Sequence, residues 1–177
     1  MTDVIVKYRA LGGPARVVER VLLLLLTLVG AAWASGVHHH LPWAFFNEQY
    51  LGLFLALGLS PIFLCTRASS RAPHDRVPWY DWALAAGGLV VGLYVAVLYP
   101  KIAYLLGVLT WERVALGVLA VGLVLEAVRR VAGWALMWIA AVCILYVKFA
   151  WLFPGLFYAK GSSWERIAVY LYLDSGG

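Results

Sequence analysis

The stretch LEAVRRVAGWALMWIAAVCILYVKFAWLFPG, residues 125–155, joins two apolar runs through a charged segment. The segment contains Glu126, Arg129 and Arg130, and Gly133 and Trp134 follow it. Either one long helix carries these charges, or two helices meet at a charged turn. Spacings of three and four residues allow Glu126 to pair with both arginines on one helix face. The segment therefore predicts a structural ion-pair cluster rather than a catalytic centre.

The composition of the chain indicates a membrane protein. Of 177 residues, 64% are hydrophobic and 13% are charged, and the mean hydropathy is +0.84. Soluble domains have roughly 45–50% apolar and about 25% charged residues. The basic residues behind the net charge of +5 are scattered between apolar runs, which favours a role in orientation and contact with anionic lipid over nucleic-acid binding. Cys65 and Cys143 lie inside apolar runs, so we expect no disulfide framework.

Five apolar runs are long enough, or nearly so, to cross a bilayer as helices, since a span needs about 20 residues. They predict an all-α polytopic membrane helix bundle with spans at Val21–Val37, Gln49–Thr66, Trp82–Pro100, Trp111–Val128 and Val131–Val147. The third run can continue to Leu106. The first has basic residues before it, as a signal peptide does, but no small-residue cleavage site follows it, so we expect an uncleaved helix.

The fourth run is the weakest of the five, because it carries charges at both ends. A helix from Trp111 to Arg129, with Thr110 as its N-cap, would be about 28 Å long and would match the bilayer core. A single helix over 111–150 would instead be about 60 Å long. It would place two arginines at membrane depth, where each costs at least about 2.5 kcal/mol. Because Gly133 can end a helix, we expect two helices joined at a charged interface.

The lysines and arginines predict the orientation of these spans. Nine of the 14 lie on one side, at Lys7, Arg9, Arg16, Arg20, Arg67, Arg71, Arg76, Arg129 and Arg130. The other five lie opposite, at Lys101, Arg113, Lys148, Lys160 and Arg166. Because cytoplasmic loops carry the excess of basic residues, we expect a cytoplasmic N-terminus and an extracytoplasmic C-terminus.

The segment after the fifth span predicts a short amphipathic helix. Aromatic residues precede Pro154-Gly155, which breaks the helix, and Ser162 and Glu165 fit a capping box. Apolar residues then recur at helical spacing, at Trp164, Ile167, Ala168 and Leu171. This helix either lies on the membrane surface or docks on a partner or on the other spans.

The organisation expected from these runs is a single membrane domain over 1–177. Its parts are a cytoplasmic N-terminal segment (1–17), a four-helix unit (18–130), a connector span (131–152) and an extracytoplasmic amphipathic tail (153–177).

No residue pattern predicts an enzyme, a cofactor or a metal site. His38-His39-His40 are consecutive and cannot all face one ion on a regular helix, so we interpret them as part of an interfacial loop. Glu48 and Asp81 each begin an apolar run and are interpreted as interfacial acids favoured by the helix dipole. Gly88 and Gly92 fit the GxxxG pattern, which permits close helix contact. We therefore expect a component that packs against a partner.

Three stretches resemble the small membrane (Q) component of tripartite ATP-independent periplasmic (TRAP) transporters, and most of all the N-terminal portion of the fused, TAXI-type permeases. They are NEQYLGLFLALGLSPIFL (47–64), YDWALA (80–85) and VALGVLAVGLVLEAVRRVAGWAL (114–136). A fourth stretch, FPGLFYAKGSSWERIAVYLYLDSGG (153–177), resembles the stretch that leads into the large (M) component. The residues that anchor the resemblance are Gly133-Trp134, Pro154-Gly155 and Tyr170-Leu171-Tyr172. The likeness extends from about residue 15 to the end of the chain.

The resemblance implies a scaffold for a large permease subunit in a bacterial or archaeal inner membrane. Such systems use an extracytoplasmic solute-binding protein and an ion gradient, usually of sodium, to import organic acids and related solutes. Their substrate and sodium sites belong to the large subunit, so the resemblance assigns neither to this chain. The chain is then either a free small subunit or a fragment of a fused permease.

Two other function classes stay open. A self-sufficient small oligomeric transporter would be expected to carry an acid near the middle of a span, and none is present in the predicted spans. A membrane anchor of a redox complex would be expected to carry paired histidines at mid-membrane, and these are also missing.

Overall fold

The computed structural model describes residues 8–37, 46–69, 72–74, 76–105, 109–155 and 158–174. Over these ranges the chain is helical, and no strand is present apart from an isolated bridge between Tyr8 and Thr66. The α-helices are α1 (Gly13–Ala34), α2 (Asn47–Cys65), α3 (Trp79–Ile102), α4 (Trp111–Val131), α5 (Trp134–Phe149) and α6 (Trp164–Leu173). Short 3-10 turns follow α3 at Ala103–Leu105 and α5 at Ala150–Leu152. The predicted all-α class is confirmed for the described part of the chain.

Four of the described helices are long and apolar enough to cross a membrane. They are α1, α2, α3 and the combination of α5 with its 3-10 turn, Trp134–Leu152. The helix α4 is not among them, because it carries five charges at Glu112, Arg113, Glu126, Arg129 and Arg130. The chain therefore has the helices of a multi-pass membrane protein, while the fifth span remains a prediction.

Proline and glycine explain where several helices begin and end. Pro14 lies in the first turn of α1, where a missing N–H breaks no helical hydrogen bond. As a result α1 begins at Gly13, well before the predicted Val21. Gly133 separates α4 from α5 with a φ of +97°, a conformation that other residues rarely adopt. The prediction of two helices, rather than one, across residues 125–155 is thus confirmed.

The contacts divide the chain into two compact units, Met1–Ile102 and Ala103–Gly177. In the first unit α2 packs along α3, and α1 packs on α2. Glu19 and Cys65 join α1 to α2 at one end, with 3.1 Å between carboxylate and sulfur. At the other end the rings of Trp33 and Tyr50 stack with their centroids 4.2 Å apart. The predicted part boundaries at 17, 130 and 152 remain predictions.

In the second unit α4 packs against both α5 and α6. The buried residues of α4 recur every three or four positions, at Arg113, Gly117, Ala120, Leu123, Ala127 and Arg130. They form one stripe along the helix, as expected for a helix that buries a single face. In contrast, α5 has no buried residue although it is apolar almost throughout.

Candidate functional site

Among the described residues of the first unit, a fully buried ion pair joins Arg9 to Asp81. The guanidinium Nη2 lies 2.5 Å from the carboxylate Oδ2, and neither side chain is exposed. Asp81 is in the first turn of α3, as expected for a helix-start acid, but it is completely buried. In the sequence Arg9 is only one of several basic residues of the N-terminal segment, and its pairing with Asp81 is visible only in the structure.

Arg9 also binds the C-terminal end of α2. Its Nη1 donates to the carbonyl oxygens of Phe63 and Leu64 at 3.4 and 3.3 Å. Its backbone N–H donates to the Cys65 carbonyl oxygen at 2.8 Å. The last carbonyls of a helix have no partner within the helix, and a cation is favoured there by the helix dipole. Because a guanidinium has five N–H donors in one plane, the Arg9 side chain can bind α2 and α3 at the same time.

The segment around Arg9 forms a strap, residues 8–11, across this end of the first unit. Tyr8 forms the antiparallel bridge with Thr66, and Leu11 is buried. Arg9 Nε additionally donates to the Pro73 carbonyl at 3.4 Å. One feature of the sequence could have predicted that a cation binds here. Asp81 is a lone acid within the apolar stretch that begins α3, and a buried carboxylate needs a cation as its partner.

Gly88 and Gly92 lie in the contact between α3 and α2, inside the first unit. A Cβ on Gly92 would lie 2.5 Å from the Ala56 backbone nitrogen, and a Cβ on Gly88 would lie 3.1 Å from Leu59 Cβ. The expected close helix contact is present. The small size of both glycines serves this intramolecular contact between α2 and α3.

Two polar side chains cross the same contact. The Ser60 hydroxyl lies 2.8 and 2.9 Å from the carbonyl oxygens of Ala56 and Ala85. Nearer the other end, the Gln49 side-chain amide donates to the Ala96 carbonyl at 2.8 Å. Such hydrogen bonds hold helices together where hydrophobic burial gives little preference for protein over lipid.

The five candidate residues at the turn between α4 and α5 lie together. Arg129 donates to both Glu126 carboxylate oxygens at 2.7 Å, and Arg130 Nε donates to one of them at 2.7 Å. The Arg129 guanidinium also lies 5.2 Å from the ring centroid of Trp134, a cation–π distance. Gly133 provides the backbone turn that brings this tryptophan back onto the arginine.

The residues Glu126, Arg129, Arg130, Gly133 and Trp134 form the joint between α4 and α5, and their contacts are those of a structural cluster. Three N–H groups occupy the Glu126 carboxylate, so its oxygens are engaged and poorly placed to act as a general base. The Arg130 side chain is only 2% exposed. Its burial is supported by a carboxylate on the same helix, which offsets part of the cost of desolvating the charge.

The helix α6 docks on α4, as one of the expectations for the amphipathic tail had it, while its position on the membrane surface stays a prediction. A Cβ on Gly117 of α4 would lie 2.7 Å from the Ala168 carbonyl oxygen. The buried face of α6 consists of Ile167, Ala168, Val169 and Leu173. Trp164 and Leu171, which were expected on that face, are 50% and 41% exposed.

The cap of α6 differs by one residue from the prediction. Ser163, rather than Ser162, is the N-cap, and its hydroxyl accepts the Arg166 N–H at 3.4 Å. Thr110 is at the N-cap of α4 as expected, but its side chain makes no capping hydrogen bond.

The described residues contain no group of three or more His, Cys, Asp or Glu side chains that could hold a metal ion. His38-His39-His40 lie outside the described residues. Cys65 and Cys143 are both free thiols.

Comparisons with protein-family models, curated proteins and solved structures gave no match.

Proposed function

We propose that this chain is a small integral-membrane scaffold subunit of a TRAP transporter, which supports a large permease subunit during ion-gradient-driven uptake of organic acids or related solutes. The resemblance described above suggests the family. The placement of charge within the spans is the observation that carries the scaffold role.

The charged residues of the four candidate spans lie near the helix ends. In α1 they lie in about the first two turns, at Arg16, Glu19 and Arg20. The other spans carry Glu48 in α2, Asp81 and Lys101 in α3, and Lys148 in α5. Transporters typically bind substrate and coupling ion near the bilayer midplane, on discontinuous helices. Here the helices are continuous between their charged ends, and polar side chains such as Ser60 and Gln49 bond to neighbouring helices. This arrangement suits mechanical support better than solute binding.

A scaffold also needs lateral surface for its partner, and α5 provides it. This helix is apolar, and none of its residues is buried within the chain. It continues into the tail, 153–177, that resembles the stretch leading into the large component. We therefore propose α5 as the principal contact with the large subunit, with a solute-binding protein acting on the assembled permease from outside.

The proposed topology has five spans, with α4 as the fourth, a cytoplasmic N-terminus and an extracytoplasmic C-terminus. The nine-to-five distribution of basic residues supports it. So does the Glu126 cluster, which would lie at the cytoplasmic end of α4. If α4 did not cross the membrane, residue 160 would lie on the same side as the N-terminus.

Cysteine labelling from the periplasmic side tests this topology in a chain whose two native cysteines are replaced by alanine. We expect labelling of His38→Cys and Lys160→Cys, and protection of Ser70→Cys. Protection of position 160 together with labelling of position 38 would indicate four spans and contradict the proposal.

The function is tested by reconstitution in proteoliposomes with a sodium gradient and the solute-binding protein. We expect uptake only when this chain and the large subunit are both present. Uptake by this chain alone would favour a self-sufficient transporter. Uptake at full rate by the large subunit alone would leave the chain without the proposed role.

A further inference from the structure

Two neighbouring basic residues on α1 are exposed on the surface of the first unit. Arg16 and Arg20 are one helical turn apart and exposed, and within the described residues neither makes a hydrogen bond or an ion pair. Like charges four residues apart on a helix repel each other. An anion placed between them would turn this repulsion into attraction.

Two described acids at this end of the first unit, Glu19 and Asp81, already have hydrogen-bond or ion-pair partners. Glu19 lies between Arg16 and Arg20 in sequence, but its carboxylate faces α2 and accepts a hydrogen bond from Cys65 Sγ at 3.1 Å. Asp81, at the same end of the unit, is buried against Arg9. Among the described residues, this end of α1 therefore carries net positive charge, because Arg16 and Arg20 outnumber Glu19.

An apolar surface continues from the arginines along the same side of α1. Leu23, Leu24 and Leu28 follow Arg20 by three, four and eight residues, and they are 41%, 60% and 57% exposed. Thr27 lies among them, but its hydroxyl donates to the Leu23 carbonyl at 2.9 Å, so its polar atom is satisfied. From Arg20 to Leu28 the helix rises about 12 Å, which fits within the roughly 15 Å of hydrocarbon in one leaflet.

An exposed tryptophan at this end of the unit supports placing the membrane surface here. Trp79 begins α3, two residues before Asp81, and it is 80% exposed. Tryptophan is enriched where hydrocarbon meets headgroups. Because the strap joins the start of α3 to the end of α2, and Glu19 joins α1 to that same end, Arg16 and Arg20 lie toward the headgroup side of the spans.

We infer that Arg16 and Arg20 bind the phosphate of an anionic phospholipid whose acyl chain lies along Leu23, Leu24 and Leu28. Guanidinium groups match phosphate oxygens in charge and geometry. The adjoining leucines select a lipid over a free phosphate, since only a lipid covers both surfaces. This inference does not depend on the proposed transport role.

The test measures how much lipid the purified full chain retains in detergent, by native mass spectrometry during titration with phosphatidylglycerol or with phosphatidylcholine. Retention is compared between the two lipids and between the unaltered chain and its variants. The double variant Arg16→Gln/Arg20→Gln should bind phosphatidylglycerol roughly 30-fold more weakly, since each basic residue near an anionic surface contributes about a factor of five. The matched control is Lys101→Gln, which removes an exposed cation at the opposite end of the first unit and should retain the lipid as the unaltered chain does.

Three results would overturn the inference. The first is equal phosphatidylglycerol retention by the double variant and the unaltered chain. The second is equal retention of phosphatidylcholine by the unaltered chain. The third is displacement of the lipid by millimolar inorganic phosphate, which would reduce the site to an anion contact. Circular dichroism of both variants checks folding, and we expect it unchanged because both arginines are exposed.

Discussion

At the residue scale, Arg9 is a side chain on which several internal polar contacts of the first unit converge. It neutralises Asp81, covers carbonyl oxygens at the end of α2 and belongs to the strap bound to Thr66. A charge that is completely buried needs all of these interactions to offset its desolvation. The ion pair therefore holds the N-terminal strap and the α2–α3 hairpin as one structure.

Asp81→Asn should strongly destabilise the first unit. The substitution removes the charge that faces a buried guanidinium, and breaking such a pair typically costs about 3–5 kcal/mol. The free energy of unfolding in mixed micelles, measured by titration with a denaturing detergent, gives the value. Arg76→Gln is the matched control: Arg76 is exposed, and we expect a change within about 0.5 kcal/mol.

The double variant Arg9→Met/Asp81→Leu separates the ion pair from the other roles of Arg9. We expect it to be more stable than Asp81→Asn, because no isolated charge stays buried. It should still be less stable than the unaltered chain, because the carbonyl contacts on α2 are lost. A single substitution at Asp81 without measurable cost would contradict the importance given to this pair.

At the element scale, the contact of α2 with α3 depends on residues that lack bulk. Gly52 on α2 and Gly92 on α3 face each other's backbone, and a Cβ on Gly52 would lie 2.8 Å from Val95 Cβ. Small residues allow helix backbones to approach closely, which increases van der Waals contact. The hydrogen bonds of Ser60 and Gln49 then fix the register of the two helices.

Gly92→Ala should weaken this helix contact even though alanine is the better helix former. The new methyl group would meet backbone atoms of α2, and overpacking of this kind costs typically 1–3 kcal/mol. Thermal unfolding followed by circular dichroism is the measurement. Gly58→Ala, on α2 of the same unit, has nothing within 4 Å of the new Cβ and should be neutral or stabilising. Equal effects at both positions would rule out the close contact as the cause.

Gly133→Ala tests the backbone of the joint between α4 and α5. No atom lies within 4 Å of the new Cβ, so the φ of +97° is the only obstacle. We expect a loss of about 1–3 kcal/mol from backbone strain, measured by the same unfolding assay. Gly122→Ala on α4 is the control, because it has equally open space without a positive φ and should lose no stability.

At the scale of the whole molecule, each unit leaves one long apolar helix largely uncovered, α1 in the first and α5 in the second. The first encloses Phe63, Leu64 and Val91 almost completely. In the second, α5 contributes no buried residue. In lipid an apolar helix needs no cover, so exposure alone does not identify a partner. We propose α5 as the contact because the tail that follows it resembles the stretch that leads into the large permease component.

Val142→Trp should reduce co-purification of the large subunit if α5 is that contact. Val142 is 58% exposed, so the added bulk should leave the chain's own thermal stability unchanged while it blocks close approach of a partner. Val97→Trp on α3, where the valine is 69% exposed, is the matched control and should keep the partner. Equal recovery of the large subunit with both variants would contradict the assignment of α5.

The sequence by itself determined the class of the protein, the break between two of its helices and the ion pairs formed within one helix. Apolar runs predicted the helices, Gly133 predicted the break between α4 and α5, and the spacing of Glu126 from Arg129 and Arg130 predicted their pairing. These features depend on neighbours within about four residues, so helix periodicity is sufficient to predict them.

Only the tertiary structure decided which surfaces face one another. Arg9 and Asp81 are 72 residues apart, and no local pattern links them. The GxxxG pattern of Gly88 and Gly92 predicted a close contact, but the sequence could not distinguish a partner from α2. The physical reason is that lipid is as apolar as a helix surface, so hydrophobicity does not separate inward from outward faces, and packing together with buried polar contacts decides between them.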